Sequence, residues 1–192
     1  MGLLDEGISE VIATTRFNAA PMGIIRRGGR YSMVIYRGSH TAENVEREGW
    51  IVANLVFDPV LYVRTAFEDL PPDAFVEEEV AGLTMHRLRG VEAWVAFQAE
   101  VEHASKTALG VVLSLLKEEV LDRRVRPVNR GFNSVIEATV HATRYSLTRN
   151  EELRRLIHHH IAIIQRCGGP REQEAIGLLE GYVPKLNSGE KG

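Results

Sequence analysis

Apolar and polar positions follow one texture in the first half of the chain and another in the second. The first half reads as strands. Val11–Thr15 is a short β-branched run, and Pro21–Arg26 is another. Arg27-Gly28-Gly29-Arg30 marks a hairpin, because paired glycines supply the positive φ angles that a two-residue turn demands. Tyr31–Tyr36 returns as the partner strand, and Trp50–Phe57 is a further apolar run. Between these two, Thr41-Ala-Glu-Asn-Val-Glu-Arg-Glu-Gly49 predicts a short helix with Thr41 as N-cap, Glu43 at the positive end of the dipole and Gly49 as the stop. Asp58-Pro59 opens another helix to about Glu68, closed by Pro71-Pro72, and strand character resumes from Val76 to about Glu102. Six or seven strands with helical inserts predict a barrel more than a βαβ array.

The second half has helical periodicity. Val112, Leu115, Leu116, Glu119 and Val120 fit it; Phe132, Val135, Ile136, Thr139, Val140, Thr143 and Leu147 form one stripe. Leu153, Leu156, Ile157, Ile161, Ile164 and Cys167 form a second, ended by Gly168-Gly169-Pro170. A last helix is expected from Arg171 to about Tyr182, and a frayed tail from Asn187. The expected boundary falls near Ala108–Gly110, giving a barrel domain over 1–109 and a helical subdomain over 110–192. The fold class is α+β: a split β-barrel of mostly antiparallel strands followed by C-terminal helices.

At 192 residues, with 44% apolar and 26% charged positions, the chain can bury a core without staples. Its single cysteine, Cys167, rules out an internal disulfide and fits a reducing cytosol. A net charge of −3 argues against a dedicated nucleic-acid binder. The basic clusters Arg26-Arg27-Arg30 and Arg123-Arg124-Arg126-Arg130 read as solvated turns and helix ends. The N-terminal stretch shows no signal peptide, no apolar run reaches bilayer length, and residue 6 is Glu where myristoylation needs Ser or Thr. The expectation is a cytoplasmic protein with neither membrane nor nucleic-acid partners.

Strong catalytic signatures are absent: no GxGxxG, GxxxxGK[ST], CxxC or HExxH occurs. His158-His159-His160 does not make a metal site by itself, since consecutive helical side chains point about 100° apart; no metal is expected. The Phe132–Leu147 helix carries a polar face of Asn133, Glu137, His141 and Arg144, in which Glu137 and His141 are i,i+4 neighbours. That face is either a general acid/base or substrate clamp facing a cleft or, the favoured reading, a solvated surface. Asn129-Arg130 before it reads as a surface loop, with anion binding at the helix N-terminus as the alternative.

Two segments carry more specific chemistry. In Glu10-Val-Ile-Ala-Thr-Thr-Arg-Phe-Asn-Ala-Ala-Pro-Met-Gly-Ile, two strands place the small residues Ala19, Ala20 and Gly23 where a flat ligand can meet backbone, and Pro21 lacks a donor. A flavin ring wants such a surface, with apolar faces and backbone partners along its pyrimidine edge. In Tyr36-Arg-Gly-Ser-His-Thr-Ala-Glu-Asn44, a strand runs into a helix start. Arg37, Ser39 and Thr41 there combine a cation, two hydroxyls and unpaired helix amides, as a terminal phosphate requires.

These segments, with Trp50-Ile-Val-Ala-Asn-Leu-Val-Phe-Asp-Pro59, resemble the FMN-binding split-barrel superfamily of flavin reductases and flavoredoxins over about residues 10–58. Most of the chain resembles an uncharacterised prokaryotic family of the domain-of-unknown-function type, with a split barrel and a helical C-terminal part. The resemblance implies FMN as cofactor. Thr14, Thr15 and Asn18 would lie along the ribityl chain or ring edge, and Pro21, Met22 and Gly23 would offer backbone to the isoalloxazine. Ser39, Thr41 and Arg37 would hold the phosphate, with Asn44 and Asn54 shaping the pocket. It further implies a homodimer and an oxidoreductase meeting a small-molecule substrate or electron donor; no catalytic side chain is identified. Two features depart from the pattern: the reductases' Pro-Pro loop is replaced by Tyr36-Arg37-Gly38, and no nicotinamide motif is present. The alternatives are a flavin carrier or sensor without turnover, or an interaction protein with an empty barrel. Deazaflavin and pyridoxal-type phosphates remain compatible cofactors.

Overall fold

The computed structural model describes residues 2–183 and Leu186; the tail expected from Asn187 lies outside the described residues. Among the described residues, eight strands and five α-helices form in the order β1 (Gly7–Thr15), β2 (Asn18–Arg27), β3 (Arg30–Tyr36), α1 (His40–Glu48), β4 (Trp50–Leu55), α2 (Pro59–Phe67), β5 (Phe75–Val80), β6 (Leu83–Leu88), β7 (Ala93–Ala104), β8 (Ala108–Val120), α3 (Arg130–Thr148), α4 (Glu151–Cys167) and α5 (Pro170–Tyr182). Six strands close an antiparallel barrel in the order β1-β2-β3-β8-β7-β4, and β5 and β6 form a separate hairpin sheet. The α+β split barrel with C-terminal helices is therefore the architecture.

Inward-pointing residues of alternate parity fill the barrel: Val11 and Ala13 of β1, Met33 and Ile35 of β3, Ile51 and Ala53 of β4, Leu109, Val111 and Leu113 of β8. Helix α1 buries Ala42 and Val45 in the same core and packs against β1, β2, β3 and β7.

Strand β8 corrects the sequence reading at Val112–Val120, where a helix is expected. Its partner β7 pairs Phe97 with Leu115 and Ala96 with Lys117, so Leu116 is an extra residue in the ladder. A bulge flips the parity of the strand, and apolar positions on either side of it then mimic a 3.6-residue repeat. The first helix after β8, α3, accordingly begins at Arg130.

Contacts divide the chain into two units. One comprises the chain to Phe57 and Asp69–Arg124; the other comprises Asp58–Glu68 and the chain from Val125. Helix α2 thus leaves the sequence-local barrel and belongs with the helices. Within that second unit Asp58 caps α2 through Val60 N–H (3.0 Å) and receives both Arg171 Nη2 contacts (2.7 and 2.6 Å) from α5. Phe67 stacks on Tyr182, and Val60 and Val63 join the core of Val135, Ala138, Ile157, Ile161, Ile164 and Ile176. The pull on α2 is this apolar face, which a linear reading assigns to its neighbours in sequence.

Candidate functional site

The barrel is split along β2. Over Asn18–Ile24 this strand pairs with β1 alone, while its ladder to β3 covers only Ile25–Arg27 against Arg30–Ser32. Alternate residues of an antiparallel strand direct their N–H and C=O groups to opposite edges, so the outer edge of Asn18–Ile24 offers backbone groups that no strand takes up. Asn18, Ala20, Pro21, Met22 and Gly23 are half-buried there, and Pro21 contributes a carbonyl only. A Cβ on Gly23 would sit 2.9 Å from Ile8 Cγ2 and 3.4 Å from Glu10 Oε1, so glycine keeps the strand close to β1.

Helix α1 begins at the other end of the split. Its N-cap is Ser39, not Thr41: the Ser39 hydroxyl accepts Ala42 N–H at 3.2 Å and donates to the Tyr36 carbonyl at 2.8 Å. Serine wins because it stands one turn before the buried Ala42 and Val45, leaving Thr41 inside the first turn. The amides of His40 and Thr41 have no intrahelical acceptor, and the Thr41 hydroxyl accepts Asn18 Nδ2 at 2.9 Å while keeping its own proton to donate.

Six of the eleven residues expected at the site meet as three hydrogen-bonded pairs. Asn18 binds Thr41; Asn44 Nδ2 donates to Thr15 Oγ1 at 2.9 Å; Asn54 Nδ2 donates to Thr14 Oγ1 at 2.9 Å. They differ in what they leave over. Asn54 is fully buried, donates also to Ile12 O (2.8 Å), and accepts Leu88 N–H (2.8 Å). Thr14 is equally buried and donates to His86 O at 2.6 Å. This pair ties β1 and β4 to β6. Asn44 is held from both ends, by Thr15 and by Arg47 Nη2 (2.7 Å). Arg37, half-exposed, turns its Nε to Ser105 O (2.8 Å) and has Glu46 at 3.7 Å.

Beside these residues lies a group that the sequence reading does not single out. Phe17, in the left-handed region at φ 49° in the β1–β2 turn, sits 4.3 Å from the His86 ring and packs edge-on to Phe75. Trp50 also stacks on the His86 ring. Nothing in the spacing of Leu-Thr-Met-His-Arg-Leu distinguishes His86; it reaches Thr14 only through the β5–β6 hairpin. Burial pushes its imidazole below the ordinary value, Glu77 opposing and Arg16 adding to the effect. Nearby, Arg47 and Arg16 hold the Glu48 carboxyl below the usual carboxylate range, against partial desolvation.

The donor set fits FMN: helix amides and a hydroxyl donor for a phosphate, an Asn–Thr pair between that end and β2, and an open strand edge for a ring. Residues 9–122 match the N-terminal domain of a protein family of unknown function, DUF447, and residues 129–181 match its second domain. The chain belongs to the DUF447 family. A crystal structure of an FMN-bound protein of this family from Methanosarcina mazei is 39% identical, with a TM-score of 0.88 over 93% of this chain and 96% of that one. Similarity extends to a 2-nitrobenzoate 2-nitroreductase of Pseudomonas fluorescens (14% identity, TM-score 0.47, 62% of this chain and 67% of that one). It extends also to the styrene monooxygenase flavin reductase of Pseudomonas putida (16%, 0.46, 64% and 93%). The expected family resemblance thus holds for this DUF447 chain across both of its domains.

Proposed function

We propose that this DUF447 protein binds FMN on the open edge of β2, with the phosphate at the N-terminus of α1, and works as an oxidoreductase. The observation that carries the reading is the Asn18–Thr41 hydrogen bond, 2.9 Å long, which joins the open strand to the helix start. The FMN bound by the 39% identical Methanosarcina mazei protein supports it. In this arrangement the amides of His40 and Thr41 and the Thr41 hydroxyl meet the phosphate, while Ser39 orients the helix. Asn18 faces the ribityl chain, and Pro21, Met22 and Gly23 present backbone to the ring. Thr14, Thr15, Asn44 and Asn54 act from behind, holding β1 in place. Bound FMN supplies hydride or electron transfer, so the protein needs no catalytic side chain of its own.

We further propose a cytoplasmic homodimer. Val34 and Tyr36 on β3 are exposed on the barrel's outer face, which supports self-association. No helix among the described residues is long and apolar enough to cross a membrane.

Purified protein tests the reading. A flavin absorption spectrum, or uptake of added FMN with fluorescence quenching, is expected; a protein that arrives colourless and takes up no FMN overturns it. Rapid bleaching by NADH or NADPH followed by re-oxidation identifies turnover. A bound flavin inert to both donors identifies a carrier or sensor, the reading favoured by the Arg37-Gly38 turn where reductases have Pro-Pro. Parallel titrations with a deazaflavin and pyridoxal phosphate distinguish the cofactor.

A further inference from the structure

In the helical unit, α3 and α4 form a hairpin across the two residues Arg149-Asn150. Glu137 and His141 stand one turn apart on α3, and His160 projects from α4; one ligand atom from each comes within 4.8 Å of the others. The Glu137 carboxylate lies 3.9 Å from His141 Nε2. The two imidazoles face each other with centroids 5.6 Å apart and planes at 33°. Each ring has its Nδ1 buried without a hydrogen-bond partner among the described residues. Histidines that serve only as core packing satisfy such nitrogens; here two adjacent ones are left over.

We propose that Glu137, His141 and His160 form a binding site for a divalent transition metal, zinc first among them. Two imidazoles and a carboxylate suit zinc, iron and cobalt, whereas calcium and magnesium want oxygen alone. Bonds of about 2.0–2.2 Å place donor atoms roughly 3.3 Å apart. The cluster therefore needs to close by about 1.5 Å at most, and the Glu137 side chain, 59% exposed, is able to swing. The histidines are held by the hairpin. Three ligands leave a fourth position, on the exposed Glu137 side, for water or an exogenous ligand. Of the His158-His159-His160 triplet only His160 joins the cluster, since its neighbours on the helix diverge by about 100°. The site lies wholly within the helical unit and is independent of the flavin reading.

Tag-free protein stripped with chelator and titrated with Co²⁺ tests the site. The expected result is one ion per chain at micromolar free Co²⁺, with the ligand-field bands of low-coordinate cobalt, displaced by Zn²⁺. Zinc should also raise Tm by several degrees, because an ion that binds only the folded chain stabilises it. His141→Gln and His160→Gln should each weaken binding by about 100-fold or more and Glu137→Gln by about 10-fold, while His158→Ala leaves it unchanged. Imidazole ¹⁵N resonances of the wild-type protein should shift on adding Zn²⁺ for two histidines, a readout that needs no variant to fold. Failure of the wild-type protein to take up either ion at 100 micromolar overturns the proposal. So does undiminished binding in both histidine variants.

Discussion

Asn18 Nδ2 donates to the Thr41 hydroxyl at 2.9 Å, and the bond spans two elements 23 residues apart. It fixes where the open edge of β2 meets the start of α1. Because the hydroxyl accepts from Asn18, its single proton points elsewhere, and a phosphate at the helix N-terminus is the partner we assign to it. Thr41→Val keeps the shape and removes both roles. FMN affinity, read by fluorescence quenching, should fall by about 1–3 kcal/mol, while the fold persists. Unchanged affinity would place the phosphate elsewhere.

Asn54 is a structural prediction more than a binding one. Its amide satisfies Ile12 O, Thr14 Oγ1 and Leu88 N–H from inside a fully buried site. Asn54→Leu removes the partner of three polar groups on two strands, β1 and β6, each costing about 1 kcal/mol or more when buried without a partner. Urea unfolding should show a loss of about 2–4 kcal/mol. A loss below 1 kcal/mol would mean that the β6 hairpin is held by packing alone.

Much of this was legible in the sequence. Gly28-Gly29, both at positive φ, announce the β2–β3 hairpin, and Thr41 through Gly49 announce α1, though its N-cap is Ser39, two residues earlier than Thr41. What was not legible is what depends on tertiary partners. The bulge at Leu116 disguises a strand as a helix, because a parity change is invisible without the opposite strand. The move of α2 to the helical unit depends on Arg171 and Tyr182, more than a hundred residues away. Likewise Glu137 and His141 read as a solvated face until His160 is brought opposite them by the α3–α4 turn. The paired site residues were visible as residue types; their pairing, and the full burial of Thr14, Thr15 and Asn54 against the half-exposure of Asn18, was not.

Asp58 caps α2 and pairs with Arg171, which pairs also with Glu174 on its own helix. The carboxylate caps α2 and accepts Arg171, whose guanidinium that contact holds above its ordinary range. Losing an Asp N-cap costs about 1 kcal/mol, and an exposed ion pair contributes about 0.2–1 kcal/mol. Asp58→Ala should therefore destabilise the protein by about 1–2 kcal/mol and Arg171→Ala by less than 1 kcal/mol. Equal losses in denaturant titrations would show that the ion pair, not the cap, is what matters.

His86 gives the pH dependence. It is 7% exposed, packed against Phe17 and Trp50, with its Nδ1 buried and unpartnered among the described residues. Burial lowers its folded-state pKa below the ordinary 6.5. Between that lowered value and 6.5 the unfolded chain binds a proton that the folded chain refuses, so stability falls as pH drops through this window and is fully present above it. Glu77, 3.9 Å from Nε2, softens the effect, and Glu48 acts in the same direction from further off. His86→Gln removes the titration while keeping a polar side chain of similar length. Midpoints of urea unfolding at pH 7.5 and pH 5.5 should differ by less in His86→Gln than in the wild-type protein. If the variant shows the same pH difference as the wild type, the acid sensitivity of this fold comes from other groups, and the buried imidazole is indifferent to protonation.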